Sequence, residues 1–173
     1  MHFNLDHAIN ILSRTPIVLG SMLNNLPNEW IFGNEGNQTW SPFDVVGHLI
    51  HGELSDWIPR IKIILEAGES KIFEPFDRFA QNEVSKGKSM EGLLVTFEEL
   101  RSNNIEALNK MNITEENLKI RGKHPELGAV TLEELIATWV VHDLDHLVQI
   151  SRTMAKQYKE AVGPWKAYLS VLK

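Results

Sequence analysis

The chain of 173 residues contains no cysteine. That excludes disulfide bonds, a cysteine nucleophile and any thiolate ligand, so a bound metal would have nitrogen and oxygen donors only. The absence also fits a reducing compartment. Basic residues are few and scattered: 17 Lys and Arg stand against 23 Asp and Glu, for a formal charge of −6. Such a chain offers no footprint for a phosphate backbone, which argues against nucleic acid as a partner. Long apolar runs are missing as well, so no membrane span is expected. Asp6 and His7 stand where a signal peptide would carry its basic and apolar regions. A cytoplasmic protein with neither nucleic-acid nor membrane partners is the expectation.

What is present supports one core. With 43% hydrophobic residues the chain can bury a sizeable interior, and residues 1–173 read as a single domain. Periodicity is helical nearly throughout, without convincing strand alternation, internal repeat or low-complexity segment. A first stripe runs through Leu5, Ala8, Ile9, Leu12, Leu19, Met22, Leu23 and Leu26, interrupted by Thr15-Pro16. That dipeptide predicts a kink or a second start capped by Thr15. The next helix has Ser41 as cap, Pro42 at its first position and Asp44 in capping-box register; Pro59 predicts a bend and Gly68 an end. Residues 69 to 88 hold at most a short helix near Phe76 to Val84. A third helix opens at Ser89, with a stripe from Met90 through Leu93, Leu94, Phe97, Leu100, Ile105 and Leu108 to Met111. A loop over 112–130 leads to a fourth helix, boxed by Thr131 and Glu134 and running to about Tyr158; Gly163-Pro164 precedes a short terminal helix. The predicted fold is all-α, a four-helix bundle with short additional helices.

Polarity breaks the fourth stripe. His142 and His146 continue the row of Leu135 and Trp139 at steps of 4, 3 and 4, placing two imidazoles one turn apart on a core-facing side. Buried imidazoles need partners, and a divalent metal satisfies two at once. The alternative is a pair of hydrogen-bonded core histidines. A third ligand is offered by His48 or His51, three residues apart on the second helix, and spacing alone does not choose between them. His2, His7 and His124 fit solvated or loop positions better. Asp44, four residues before His48, is a candidate to orient its ring or serves only the helix start. Gln149, three after His146, is placed to hydrogen-bond a ligand, whereas Asp143 and Asp145 fall off the stripe and suit solvated or structural roles. Trp57, Trp139 and Phe97 read as core, and Trp30 and Trp40 bound a polar loop and are candidates to line a pocket mouth, which spacing does not decide.

The segments W-S-P-F-D-V-V-G-H-L and H-P-E-L-G-A-V-T-L-E-E-L-I-A-T-W-V-V-H-D-L-D-H-L-V-Q-I carry a resemblance. In them the chain resembles the DinB/YfiT-like superfamily of metal-dependent four-helix bundles. The likeness extends to the early Thr-Pro and the G-P-W-K-A-Y-L ending. It implies a three-histidine site on His48, His142 and His146, with His51 standing where many relatives have an acid and Glu53 matching an acid just beyond. It further implies one divalent ion, zinc or nickel, and a homodimer. Thiol-dependent transferases are known in the superfamily, so a low-molecular-weight thiol is a candidate co-substrate.

On this basis the chain is expected to be a metal-dependent S-transferase or hydrolase acting on a small molecule. A non-catalytic metal-binding or stress-response protein is the competing reading.

Overall fold

The structure is a computed structural model that describes residues 1–77 and 79–173. Four long helical runs form the bundle, and two of them are broken. The first run divides into α1 (Leu5–Leu12) and α2 (Thr15–Leu23), followed by the single turn α3 (Asn28–Phe32). The second divides into α4 (Pro42–Ser55) and α5 (Trp57–Ala67). After the short α6 (Gln81–Ser85) come the unbroken α7 (Met90–Lys110), the turn α8 (Glu115–Leu118) and the 26-residue α9 (Leu132–Gln157).

Local chemistry accounts for most of these limits. Ser41 and Asp44 exchange hydrogen bonds across the first turn of α4, and Thr131 and Glu134 do so on α9. The Thr15-Pro16 break resolves as a second start, but Thr15 is not its cap: Arg14 holds that position without a side-chain capping bond. The Thr15 hydroxyl is spent inside the bundle instead, donating to Asp143 Oδ2 at 2.7 Å. The bend predicted by Pro59 falls at Asp56, where the backbone (φ −108°, ψ −67°) leaves helical geometry; Pro59 sits in the first turn of α5, where a missing N–H costs nothing. The expected helix near Phe76 to Val84 is confined to α6, and residue 78 of that expectation lies outside the described residues. The terminal helix is two 3₁₀ turns, Gly163–Ala167 and Ser170–Leu172, of which only Leu172 is buried.

A short antiparallel hairpin, β1 (Arg121–His124) with β2 (Gly128–Thr131), replaces the loop expected over part of 112–130. Four-residue strands holding Gly, Lys and His carry no readable alternation, so tertiary packing decides the conformation here. Gly122 makes the packing possible: a Cβ there would meet Ile64 Cγ1 at 2.6 Å and the Phe73 ring at 2.8 Å. The Phe73 N–H donates to the Lys123 carbonyl, tying the segment after α5 to the hairpin. Among the described residues no helix is long and apolar enough to cross a membrane.

The interior is two hydrophobic clusters with a polar waist between them. One contains Leu12, Trp57, Ile61, Leu108, Ile136 and Trp139. The other contains Leu19, Val46, Ile50, Leu93, Phe97 and Ile150. Each run passes from one cluster to the other through a buried polar residue: Thr15, Glu53, Arg101 and Asp143. Arg101 donates to both Asp143 oxygens (2.6 and 3.0 Å), to Glu53 Oε1 (2.8 Å) and to the Leu12 carbonyl (2.8 Å). Its guanidinium lies between the Phe97 and Trp139 rings, 4.9 and 5.1 Å from their centroids. Trp139 Nε1 and Asn104 supply the remaining donors to Glu53. Burial alone would depress the Arg101 pKa, but Asp143 and Glu53 reverse the shift and hold the charge in place. Arg101→Met, which strands two buried carboxylates, is expected to lower unfolding free energy by about 3–5 kcal/mol in urea titrations. Adding Glu53→Gln and Asp143→Asn to that variant should restore part of the loss.

Candidate metal centre

His48 is placed by the capped start of α4, and His142 and His146 by α9, which packs against α4. The Nε2 atoms of His48 and His142 lie 3.1 Å apart, as do those of His142 and His146. All three candidate ligand atoms fall within 4.8 Å of one another. The buried face of α9 is centred one residue away from the row read in the sequence. Ile136, Trp139, Asp143, His146 and Ile150 are buried at steps of 3, 4, 3 and 4, and His142 stands half-buried at the rim of that face. Asp143 is therefore fully buried, and His142 gains the partial exposure that lets it border a cavity.

The surroundings fix the imidazoles. Gln149 Oε1 lies 2.8 Å from His146 Nδ1; as an acceptor it keeps the proton on Nδ1 and leaves the Nε2 lone pair toward the other rings. Trp57 packs edge-on against His142 at 5.1 Å and stacks on Trp139 at 5.6 Å, so the ring is braced from the waist through Glu53, Trp139 and Trp57. Trp40 lies over His48 at 4.8 Å, and Phe76 contacts His48 and His51. His51 faces Phe76 and Ser55 and does not join the cluster. Asp44 is taken up entirely by Ser41, accepting from its backbone N–H and its hydroxyl, so it serves the helix start. Trp30 packs on Tyr158, away from the histidines.

The donor set fits a divalent cation. His142 Nε2 is 3.1 Å from two neighbours, while its Nδ1 is buried without a hydrogen-bond partner. A single proton on that ring cannot satisfy both contacts, and a proton on Nδ1 would be an orphaned buried donor. A cation among the Nε2 atoms relieves the first conflict, since Zn–N bonds of about 2.0–2.1 Å in tetrahedral geometry separate nitrogens by roughly 3.3 Å. The His142 and His146 rings are also kept neutral, as ligation requires. Burial, then His146, His48 and Arg101, push the His142 pKa down to about 3, and burial pushes His146 down as well.

Beside the histidines lies a cavity of about 620 Å³. Trp40, Trp57, Phe73, Phe76 and Leu135 give it apolar walls; Asp56, Arg60, His124, Glu126, Glu134 and Asp145 give it polar ones. None of these polar residues stood out in the sequence as part of a site. Their signal is spatial: the hairpin carries His124 and Glu126, placed in the loop by periodicity, to the edge of the cavity.

A model of the DinB superfamily matches residues 11–150. The chain belongs to the DinB superfamily. Among solved structures it is similar to YfiT from Bacillus subtilis, with a TM-score of 0.76, 23% identity and 90% of each chain covered. That protein is described as a probable metal-dependent hydrolase with an unusual four-helix bundle topology. At this identity the likeness shows the shared fold, a DinB-type bundle. No curated protein matches the chain.

Two measurements check this geometry. Gln149→Leu is expected to weaken zinc or nickel binding about 10–100-fold by calorimetry, with Gln149→Glu largely retaining it. In metal-free protein the unfolded chain, whose histidine pKa is near 6.5, binds a proton that folded His142 refuses until about pH 3. This contribution is complete above about pH 6.5 and is lost as pH falls toward 3. Urea stability of the wild type should thus decline more steeply across that window than that of His142→Gln.

Proposed function

We propose that the protein is a metal-dependent hydrolase, in which His48, His142 and His146 hold one divalent ion at the end of a cavity that admits a small organic molecule. The convergence of three imidazoles beside a 620 Å³ cavity carries this reading. The description of YfiT as a probable metal-dependent hydrolase supports it. Three imidazoles leave the charge of the ion undiminished, and zinc and nickel both suit them. A bound divalent ion supplies Lewis acidity, lowering the pKa of a water or thiol and polarising a carbonyl or similar group.

The chain's own residues set the rest of the chemistry. Trp40, Trp57 and Phe76 line the histidine end with apolar surface, which lowers the local polarity and strengthens electrostatic interactions there. Gln149 holds the His146 proton on Nδ1, away from the reacting centre. Asp145 lines the cavity on the same helical turn as His142 and His146. Its carboxylate accepts the proton released as a water oxygen bonds to the electrophilic carbon, then returns it to the leaving nitrogen or oxygen as that bond breaks. The same acceptor serves a small thiol, with sulfur forming the new bond.

Turnover tests the proposal. Protein loaded with zinc or nickel is assayed on ester and amide panels, with and without low-molecular-weight thiols. The expected result is hydrolysis that His142→Ala abolishes and Asp145→Asn lowers about 10²–10⁴-fold. Stoichiometric metal without turnover on any substrate would favour the non-catalytic alternative.

A further inference from the structure

The cavity is unevenly charged, and its charges divide into spent and unspent ones. Arg60 is the one Lys or Arg among the described lining residues. It is neutralised where it stands: Nε lies 2.6 Å from Asp56 Oδ1, a terminal nitrogen donates to the Glu74 carbonyl, and the guanidinium covers the Phe73 ring at 5.3 Å. The His124 imidazole adds no charge, because Nδ1 accepts the backbone N–H groups of Glu126 and Leu127, and burial together with Arg60 lowers its pKa. Within the cavity lining no cation opposes the carboxylates of Glu126, Glu134 and Asp145; from β1, outside the lining, Arg121 acts on Glu134. Glu134 is held as an anion by the Thr131 backbone N–H and hydroxyl, and its charge persists whether or not the cap uses one oxygen.

The positions of these groups give the cavity a direction. Glu134 precedes His142 by eight residues on α9, about 12 Å along the helix axis. Glu126 belongs to the hairpin turn, which reaches α9 at that same end through Thr131. Trp57, Phe73 and Leu135, all buried and apolar, line the same cavity, with Thr138 on α9 between Glu134 and His142. A ligand that fills this space has an apolar middle and meets spare negative charge at the far end. Aromatic walls add favourable cation–π contact for an ammonium group, as Phe73 already does for Arg60.

We infer that the molecule recognised here is an elongated amphiphilic amine: a reactive group at the histidines, an apolar or aromatic body, and a protonated nitrogen facing Glu126 and Glu134. Carboxylate-bearing molecules of the same shape are disfavoured by these acids. The inference deepens the proposed hydrolase reading by naming its substrate class and rests on it for the reactive end only. Recognition of the amine end depends on the chain alone.

The test uses binding of three unreactive, matched probes, phenylbutylammonium, phenylbutanol and phenylbutyrate. Each is titrated at neutral pH while following intrinsic tryptophan fluorescence, to which the cavity-lining Trp40 and Trp57 contribute, and, in parallel, by calorimetry. Both the wild type in chelator and His142→Ala are used, so that failure of the metal or hydrolase reading leaves the result intact. The ammonium probe is expected to bind about tenfold or more tighter than the carboxylate, with the alcohol between them. Glu126→Gln combined with Glu134→Gln, which retains a capping side chain, should compress that preference to about threefold or less while leaving phenylbutanol binding unchanged. Equal or tighter binding of phenylbutyrate, a preference indifferent to the two substitutions, or no binding by any probe would each overturn the inference.

Discussion

The structure depends on a buried guanidinium. Arg101 joins the main-chain carbonyl at the end of α1, the carboxylate of Glu53 on α4 and that of Asp143 on α9, from its own place on α7. All four runs of the bundle are therefore linked at one level, between two hydrophobic clusters that are each non-directional. Apolar packing drives the collapse, but it tolerates sliding of one helix along another. Ion pairs and hydrogen bonds with fixed geometry do not tolerate it, so the waist fixes the axial register of α4 against α9. That register brings His48 level with His142 and His146.

Most of the fold was legible because its signals are local. Capping boxes at Ser41 and Thr131, the long stripe beginning at Met90, and the Thr-Pro break concern residues within a few positions of one another, and the helices follow them. The hairpin was not legible, since its strands are held by Gly122 fitting under Ile64 and Phe73, a contact between distant segments. The waist left a partial trace. Arg101 stands four residues after Phe97 and seven before Leu108, a charge in register with an apolar stripe, and Asp143 occupies the matching place between Trp139 and Ile150. Reading the α9 row through Leu135 instead of Ile136 moved Asp143 off the buried face and hid the pairing.

For the candidate site, the types of residue and their order were readable along the chain, and the fold added distances. Periodicity placed two imidazoles together, family resemblance distinguished His48 from His51, and the structure brings the first three within reach of one ion while turning His51 toward Phe76. Gln149 meets His146 as its spacing suggested, whereas Asp44 is consumed by its cap. The cavity walls came from segments with no functional pattern of their own, because a pocket is assembled from elements far apart in the chain. Fold and histidine cluster are shared features on which different chemistries can be built, and the cavity lining is where this chain's selectivity is written.

The central claim is that His48, His142 and His146 surround one cation. Anomalous-scattering maps from crystals grown with zinc or nickel, from protein purified without a histidine tag, test it most directly. The account predicts a single strong peak about 2.0–2.1 Å from the Nε2 atoms of all three residues. A map without that peak, or a metal held by only two of these imidazoles while the third hydrogen-bonds elsewhere, would contradict it.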